Sequence, residues 1–211
     1  TRPGRNGAAV GQWINERAQQ RDTAEYELID LADFGLPHLD EALPSAMGQY
    51  EHAHTKRWAE TIASFDGFIF VTPEYNHSTS GALKDAIDFL GAEWHNKAAA
   101  FVGYGVYGGV RAIEHLRLVL SQLQVATVSA AATFNLMTDF ENMSTFVPAE
   151  YHGPSVAAMF DQVEAWSEAL VEVRGGTQAE DRAAAYLAQC SVRAGTESRP
   201  EPSSRTQDRP C

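Results

Sequence analysis

The chain has 211 residues, 44% of them hydrophobic, enough for one generously sized domain with a substantial core. Its formal net charge is -12, which leaves a nucleic-acid role without electrostatic support and requires an anionic ligand to be held locally, by helix N-termini, backbone amides and a few placed arginines. Two cysteines, Cys190 and Cys211, make no disulfide framework or C-x-x-C motif and are taken as bystander thiols, and no apolar run is long enough to span a bilayer. With no signal peptide legible, the expectation is a soluble cytoplasmic protein without membrane partners.

In chain order, "TRPGRNG" opens the sequence and leads straight into "AAVGQWINERAQQR", where Val10, Trp13, Ile14 and Ala18 share one face of a helix. "YELIDL" (26–31) is expected as a short strand, 32–52 as a loop rich in Pro, His and Gly, and "TKRWAETIASF" as a helix. "GFIFVT" (67–72) and "KAAAFVGY" (97–104) are continuous apolar runs, the mark of strands buried on both faces of a parallel sheet. Between them "GALKDAIDFL" places Leu83, Ala86, Ile87 and Leu90 at helical spacing. "GVRAIEHLRLVLSQL" follows with Ile113, Leu116, Leu120 and Leu123 on its buried stripe, and "VATVSAA" (125–131) is a further strand. After an irregular aromatic segment, "SVAAMFDQVEAWSEALVEV" aligns Val156, Met159, Phe160, Val163, Trp166 and Leu170 on one side of a long helix. Strands separated by helices imply an α/β fold with a doubly wound parallel sheet and helices on both faces. Residues 1–175 are expected to form that domain, 176–190 a further helix, and 191–211, which lack Leu, Ile, Phe, Met and Trp, a disordered tail.

Three loops carry the chemical signal. "PEYNHSTS" leaves a buried strand at its carboxyl end, where open parallel sheets bind ligands. Pro73 fixes the first dihedral, the following amides are then aimed, and Tyr75 offers a face for a flat heterocycle. The plainer alternative is a strand-to-helix loop with Asn76 or Ser78 as helix cap. Arg2, Arg5, Asn6 and Gly7, ahead of a helix, suit a phosphate through guanidinium forks and the helix dipole; a frayed basic terminus is the alternative. "GYGVYGG" (103–109) reads as G-x-G-x-x-G, but a dinucleotide fingerprint also needs an acidic residue about twenty positions on, where "VATVSAA" stands instead. A glycine-rich loop closing over the same flat ligand is the better reading. The seven histidines, His52 and His54 among them, show no metal-ligand spacing, and Asp139 and Glu141 have no defined geometry for hydrolysis.

Taken in this order, "TRPGRNG", "PEYNHSTSGALKDAID" and "GYGVYGGVRA" resemble the NADPH-dependent FMN reductase family, the flavodoxin-like group with many quinone and azo-dye reductases. The resemblance implies a five-stranded parallel sheet, a bound FMN, and NADPH (or NADH) as electron donor to a quinone, azo compound or other small acceptor. It places Arg2, Arg5, Asn6 and Gly7 around the FMN phosphate, the backbone of Pro73, Glu74, Tyr75 and Asn76 along the isoalloxazine, and Gly105, Gly108 and Gly109 at its pyrimidine edge. It further implies a homodimer or homotetramer with Lys84, Asp85 and Asp88 at the subunit contact. The redox chemistry would belong to the cofactor, so no catalytic side chain is assigned. One departure stands out: the family's pattern has an apolar strand before the phosphate loop, whereas Thr1 already lies in the loop, so the first central strand is expected to be missing. A flavodoxin-type electron carrier and a non-catalytic, decayed flavin fold are the competing expectations.

Overall fold

A computed structural model describes residues 1–175; the helix expected at 176–190, the tail at 191–211 and both cysteines lie outside the described residues. The two strongest apolar runs form the strands they encode, β1 (Gly67–Pro73) and β2 (Ala98–Gly105), and β3 (Ala126–Asn135) completes a parallel sheet in the order β1-β2-β3. β1 and β2 run in register from Gly67 opposite Ala98 to Pro73 opposite Tyr104. β3 is longer than its apolar core, because Thr133, Phe134 and Asn135 keep pairing with Gly103, Tyr104 and Gly105.

Every residue of β2 is buried, because successive side chains enter two different cores. Ala98, Ala100, Val102 and Tyr104 meet α1 (Gly7–Ala18) and α5 (Gly153–Gly175) through Val10, Ile14, Met159 and Phe160. Ala99 and Phe101 meet α3 (Gly81–Asp88) and α4 (Val110–Gln122) through Ala86, Ile87, Ile113 and Leu116, with Trp58 of α2 (Ala53–Ala63) behind them. The helices therefore cover both faces of the sheet, as the periodicity requires. A minor antiparallel pair, β4 (Phe140–Glu141) and β5 (Thr145–Phe146), packs Phe146 against Trp13 and Phe134.

Two expectations need correction. Residues 26–31 are not a strand: 26–30 carry no regular structure, and Leu31–Asp33 form a 3-10 turn. Tyr26 still joins one core and Ile29 the other, so the segment follows the layer as a strand would. It lacks a ladder because a cavity of about 1750 Å³ separates it from β1, lined among others by Tyr26, Leu28, Phe68, Ile69 and Val71. A strand is defined by its partner, and the other edge of β1 is already committed to β2. The described sheet accordingly has three strands and not five. On α5, Trp166 is 46% exposed although it continues the apolar stripe, because Ser167 is the residue that packs against Gly67 of β1.

Candidate functional site

The carboxyl ends of β1 and β2 bring the three loops together. After Pro73, Tyr75 and Ser78 exchange both backbone hydrogen bonds, Tyr75 N–H to Ser78 O at 2.9 Å and Ser78 N–H to Tyr75 O at 3.0 Å. Closing so tight a turn puts Asn76 at φ 47° and His77 at φ 73°. Asparagine and histidine enter this region more readily than most side chains, yet each sits there at a cost that glycine would not bear. The turn uses the polar backbone of Tyr75 and Ser78 and leaves that of Asn76 and His77 for other partners. Neither Asn76 nor Ser78 caps the next helix: Ser80 does, accepting from Leu83 N–H at 3.3 Å. Thr72, fully buried, braces the loop through a 2.8 Å hydroxyl contact with Thr79.

Opposite this turn, α1 begins at Gly7. The Tyr104 hydroxyl sits so close to Gly7 that a Cβ there would lie 2.8 Å from it. Burial pushes the Tyr104 phenol up to about 12; Tyr75 adds to the shift, while Arg2, Arg5 and the Gly7 N–H oppose it. Arg2, Arg5, Gly7, Tyr75 and Tyr104 all line the cavity that runs along β1, together with Pro73 at the end of that strand. The Arg2 guanidinium lies 5.9 Å from the centre of the Tyr75 ring. Arg5 donates to Asp30, where the 26–30 segment ends. Asn6 is turned away, its amide donating to Met143 O at 2.9 Å and giving α1 no side-chain cap. Tyr104 escapes a reading of the sequence because it stands inside an apolar strand, where an aromatic residue signals core.

The glycine loop lies beside both. Gly109 caps α4 from the left-handed region at φ 75°, and a Cβ there would meet the Tyr104 backbone nitrogen at 2.6 Å, so no other residue fits. Leu136 N–H donates to Gly105 O at 3.0 Å, and the Asn135 amide to Val106 O at 2.8 Å, holding the loop from β3. Behind them the buried Asp139 accepts from Asn135 N–H at 2.8 Å and faces His152 Nε2 at 2.7 Å. Burial alone would raise the Asp139 pKa, but these hydrogen bonds outweigh it and hold the group below the usual carboxylate range. Glu141, which the sequence offered as its companion, is exposed and lends the site nothing. Among the described residues no cluster of His, Cys, Asp and Glu has metal-binding geometry, and His52 and His54 stack on each other beside Asp40.

The family described as NADPH-dependent FMN reductase matches residues 1–139. The chain belongs to that family. Membership brings FMN and NAD(P)H as cofactor and electron donor, and makes the protein an oxidoreductase. The chain is 39% identical over 145 residues to the NAD(P)H-dependent FMN reductase ntnL of Nectria sp, an alignment covering 64% of this chain and 72% of that one. It is 37% identical over 99 residues to an NAD(P)H:quinone oxidoreductase of Solanum tuberosum, across 45% of this chain and 49% of the relative, so it spans about half the length of that protein. In three dimensions it is similar to FerB, a flavoenzyme NAD(P)H:(acceptor) oxidoreductase from Paracoccus denitrificans, with a TM-score of 0.59 at 21% identity over 80% of this chain and 92% of that one. At that identity the likeness establishes the flavodoxin-like fold alone. Among the described residues no helix is long and apolar enough to cross a membrane.

Proposed function

We propose that the three loops hold FMN and that the protein passes electrons from NADPH or NADH to a small flat acceptor, a quinone first and an azo compound second. The observation that carries this is the contact of the Tyr104 hydroxyl with Gly7 at the start of α1, with the Arg2 guanidinium 5.9 Å from the Tyr75 ring, at the carboxyl ends of β1 and β2. The residues present fit the group. Arg2, the remaining donors of Arg5, and the N-terminus of α1 at Gly7 would take the phosphate, with the Tyr104 hydroxyl beside them. The backbone of Pro73 to Asn76 would line the ring, and Gly105, Gly108 and Gly109 would lie at its polar edge, where the lack of side chains permits close approach. Bound FMN supplies the redox chemistry, accepting hydride from the nicotinamide and reducing the acceptor.

The chain's own work is binding and orientation. The fixed turn at Tyr75–Ser78 holds its amides before the ligand arrives, so little ordering cost remains on binding. Tyr104 stays protonated at neutral pH and can donate its hydrogen to an anionic oxygen. No side chain in the opening is assigned as a general acid or base. In the same reading the chain is cytoplasmic, and it assembles as a homodimer or homotetramer through α3. There Lys84 pairs with Asp88 at 2.6 Å, Asp85 meets His38 at 2.9 Å, and a cavity of about 470 Å³ opens beside the 72%-exposed Leu118.

Steady-state oxidation of NADPH with added FMN and a benzoquinone tests the activity. Turnover that needs both FMN and quinone supports the reductase. Flavin binding without nicotinamide turnover would point to an electron carrier, and no flavin binding to a non-catalytic fold.

A further inference from the structure

We propose that Glu74 and Arg111 form a positioning pair that sets the spacing between the 73–78 turn and the 103–109 glycine loop, and with it the affinity for the flat ligand between them; this rests on the FMN reading above. Glu74 continues the sheet by donating its N–H to Tyr104 O at 3.1 Å, and only 5% of its side chain is exposed. Its carboxylate reaches across to the first turn of α4, where Oε1 accepts from Arg111 Nε at 2.6 Å and also from Nη2, while Oε2 accepts from the Arg111 backbone N–H at 3.3 Å. Glycine at position 109 gives α4 no side-chain cap of its own. Glu74 therefore serves as that cap from a different loop, where a carboxylate suits both the orphan N–H and the helix dipole.

The same guanidinium lies 4.4 Å from the ring centre of Tyr107 on the glycine loop. Gly105 completes the arrangement, since a Cβ there would stand 3.3 Å from Glu74 Cβ. One acidic side chain thus ties the end of β1, the glycine loop and the start of α4 into a single unit. Arg111 keeps 36% of its side chain exposed, so it is the buried Glu74 carboxylate that is left stranded when the guanidinium is removed. The sequence reading assigned Glu74 through its backbone alone; its side chain is the part with a structural consequence.

The test uses the full chain and three variants, Glu74→Gln, Arg111→Met and the double. Flavin fluorescence gives the FMN dissociation constant, and amide hydrogen exchange of the flavin-free protein reads the loops directly. Each single change is expected to weaken FMN about tenfold, and the double to be no more than about threefold worse than the weaker single, because both remove one interaction. Without flavin, Arg111→Met should speed exchange at Tyr75 and Ser78 on the opposite loop, and Glu74→Gln at Gly108 to Arg111, each by about tenfold. A merely structural pair would leave the opposite loop unmoved. Unchanged FMN affinity in both singles, losses that multiply in the double, or exchange confined to the altered loop would overturn the proposal. If the unaltered protein binds no FMN, the reading of the site fails, and the exchange data alone decide whether the loops are coupled.

Discussion

Replacing Gly7 with alanine sets two effects of known size against each other. By helix propensity alone the change is favourable by up to about 1 kcal/mol, since glycine in a helix is that much poorer than alanine. The structure predicts the opposite sign. The new methyl group would stand 2.8 Å from the Tyr104 hydroxyl, well inside contact, and 3.6 Å from the ring carbon that bears it, which is ordinary packing. Tyr104 is 6% exposed and its ring packs against Phe140, so the hydroxyl can withdraw only toward the opening it borders, and at the cost of that packing. Overpacking of this kind costs about 1–3 kcal/mol, or roughly 2–12 °C in Tm for a domain of this size. The clash belongs to one oxygen. Tyr104→Phe should therefore restore most of the loss caused by Gly7→Ala, although both changes strip the proposed phosphate seat and weaken FMN. Thermal melts of the four proteins, followed by circular dichroism without flavin, complete the cycle. A Gly7→Ala protein as stable as the parent, or no recovery in the double variant, would refute the reasoning.

Other consequences follow from the same geometry. His77 occupies φ 73°, a position that favours glycine, so His77→Gly should raise stability by about 0.5–1 kcal/mol in urea denaturation. Tyr104 has a raised folded pKa, so its contribution is intact below the ordinary tyrosine value and lost as pH rises through the folded one. Stability should thus fall between roughly pH 10 and 12 by about 2–3 kcal/mol, less in Tyr104→Phe, as melts across that range would register. Asp139 has a lowered pKa, so its contribution is present above the ordinary aspartate value and lost as pH falls through the folded one. Asp139→Ala, which leaves His152 and the Asn135 amide without their acceptor, should cost about 1–3 kcal/mol at neutral pH, with a shallower acid limb in the denaturation profile.

What was legible in the sequence follows physical lines. β2 shows itself because a strand buried on both faces must be apolar at every position; β1 carries the same apolar run, but only Thr72 in it is buried, since its outer edge borders the cavity. α3 and α4 show themselves because one buried face leaves a helical period. The segment at 26–31 carries the same strand-like residues, yet strand formation depends on a neighbour, which local sequence does not contain. The loops announce their role through Pro73, Tyr75 and the glycines, residues whose backbone or ring is the functional part. Tyr104 and Arg111 were hidden for the opposite reason: one reads as core, the other as a solvated helix residue, and only the fold brings them to Gly7 and Glu74. The strain at His77 was equally invisible, since it comes from closing the Tyr75–Ser78 turn and not from the residue's own preference.

The most direct test of the central claim is the visible spectrum of the purified protein, loaded with FMN, freed of excess flavin, and titrated with NADPH under anaerobic conditions. The account predicts flavin bands that stay with the protein and bleach on titration. A protein that emerges colourless from the loading step would contradict it, because loops that cannot retain FMN are not the site described here.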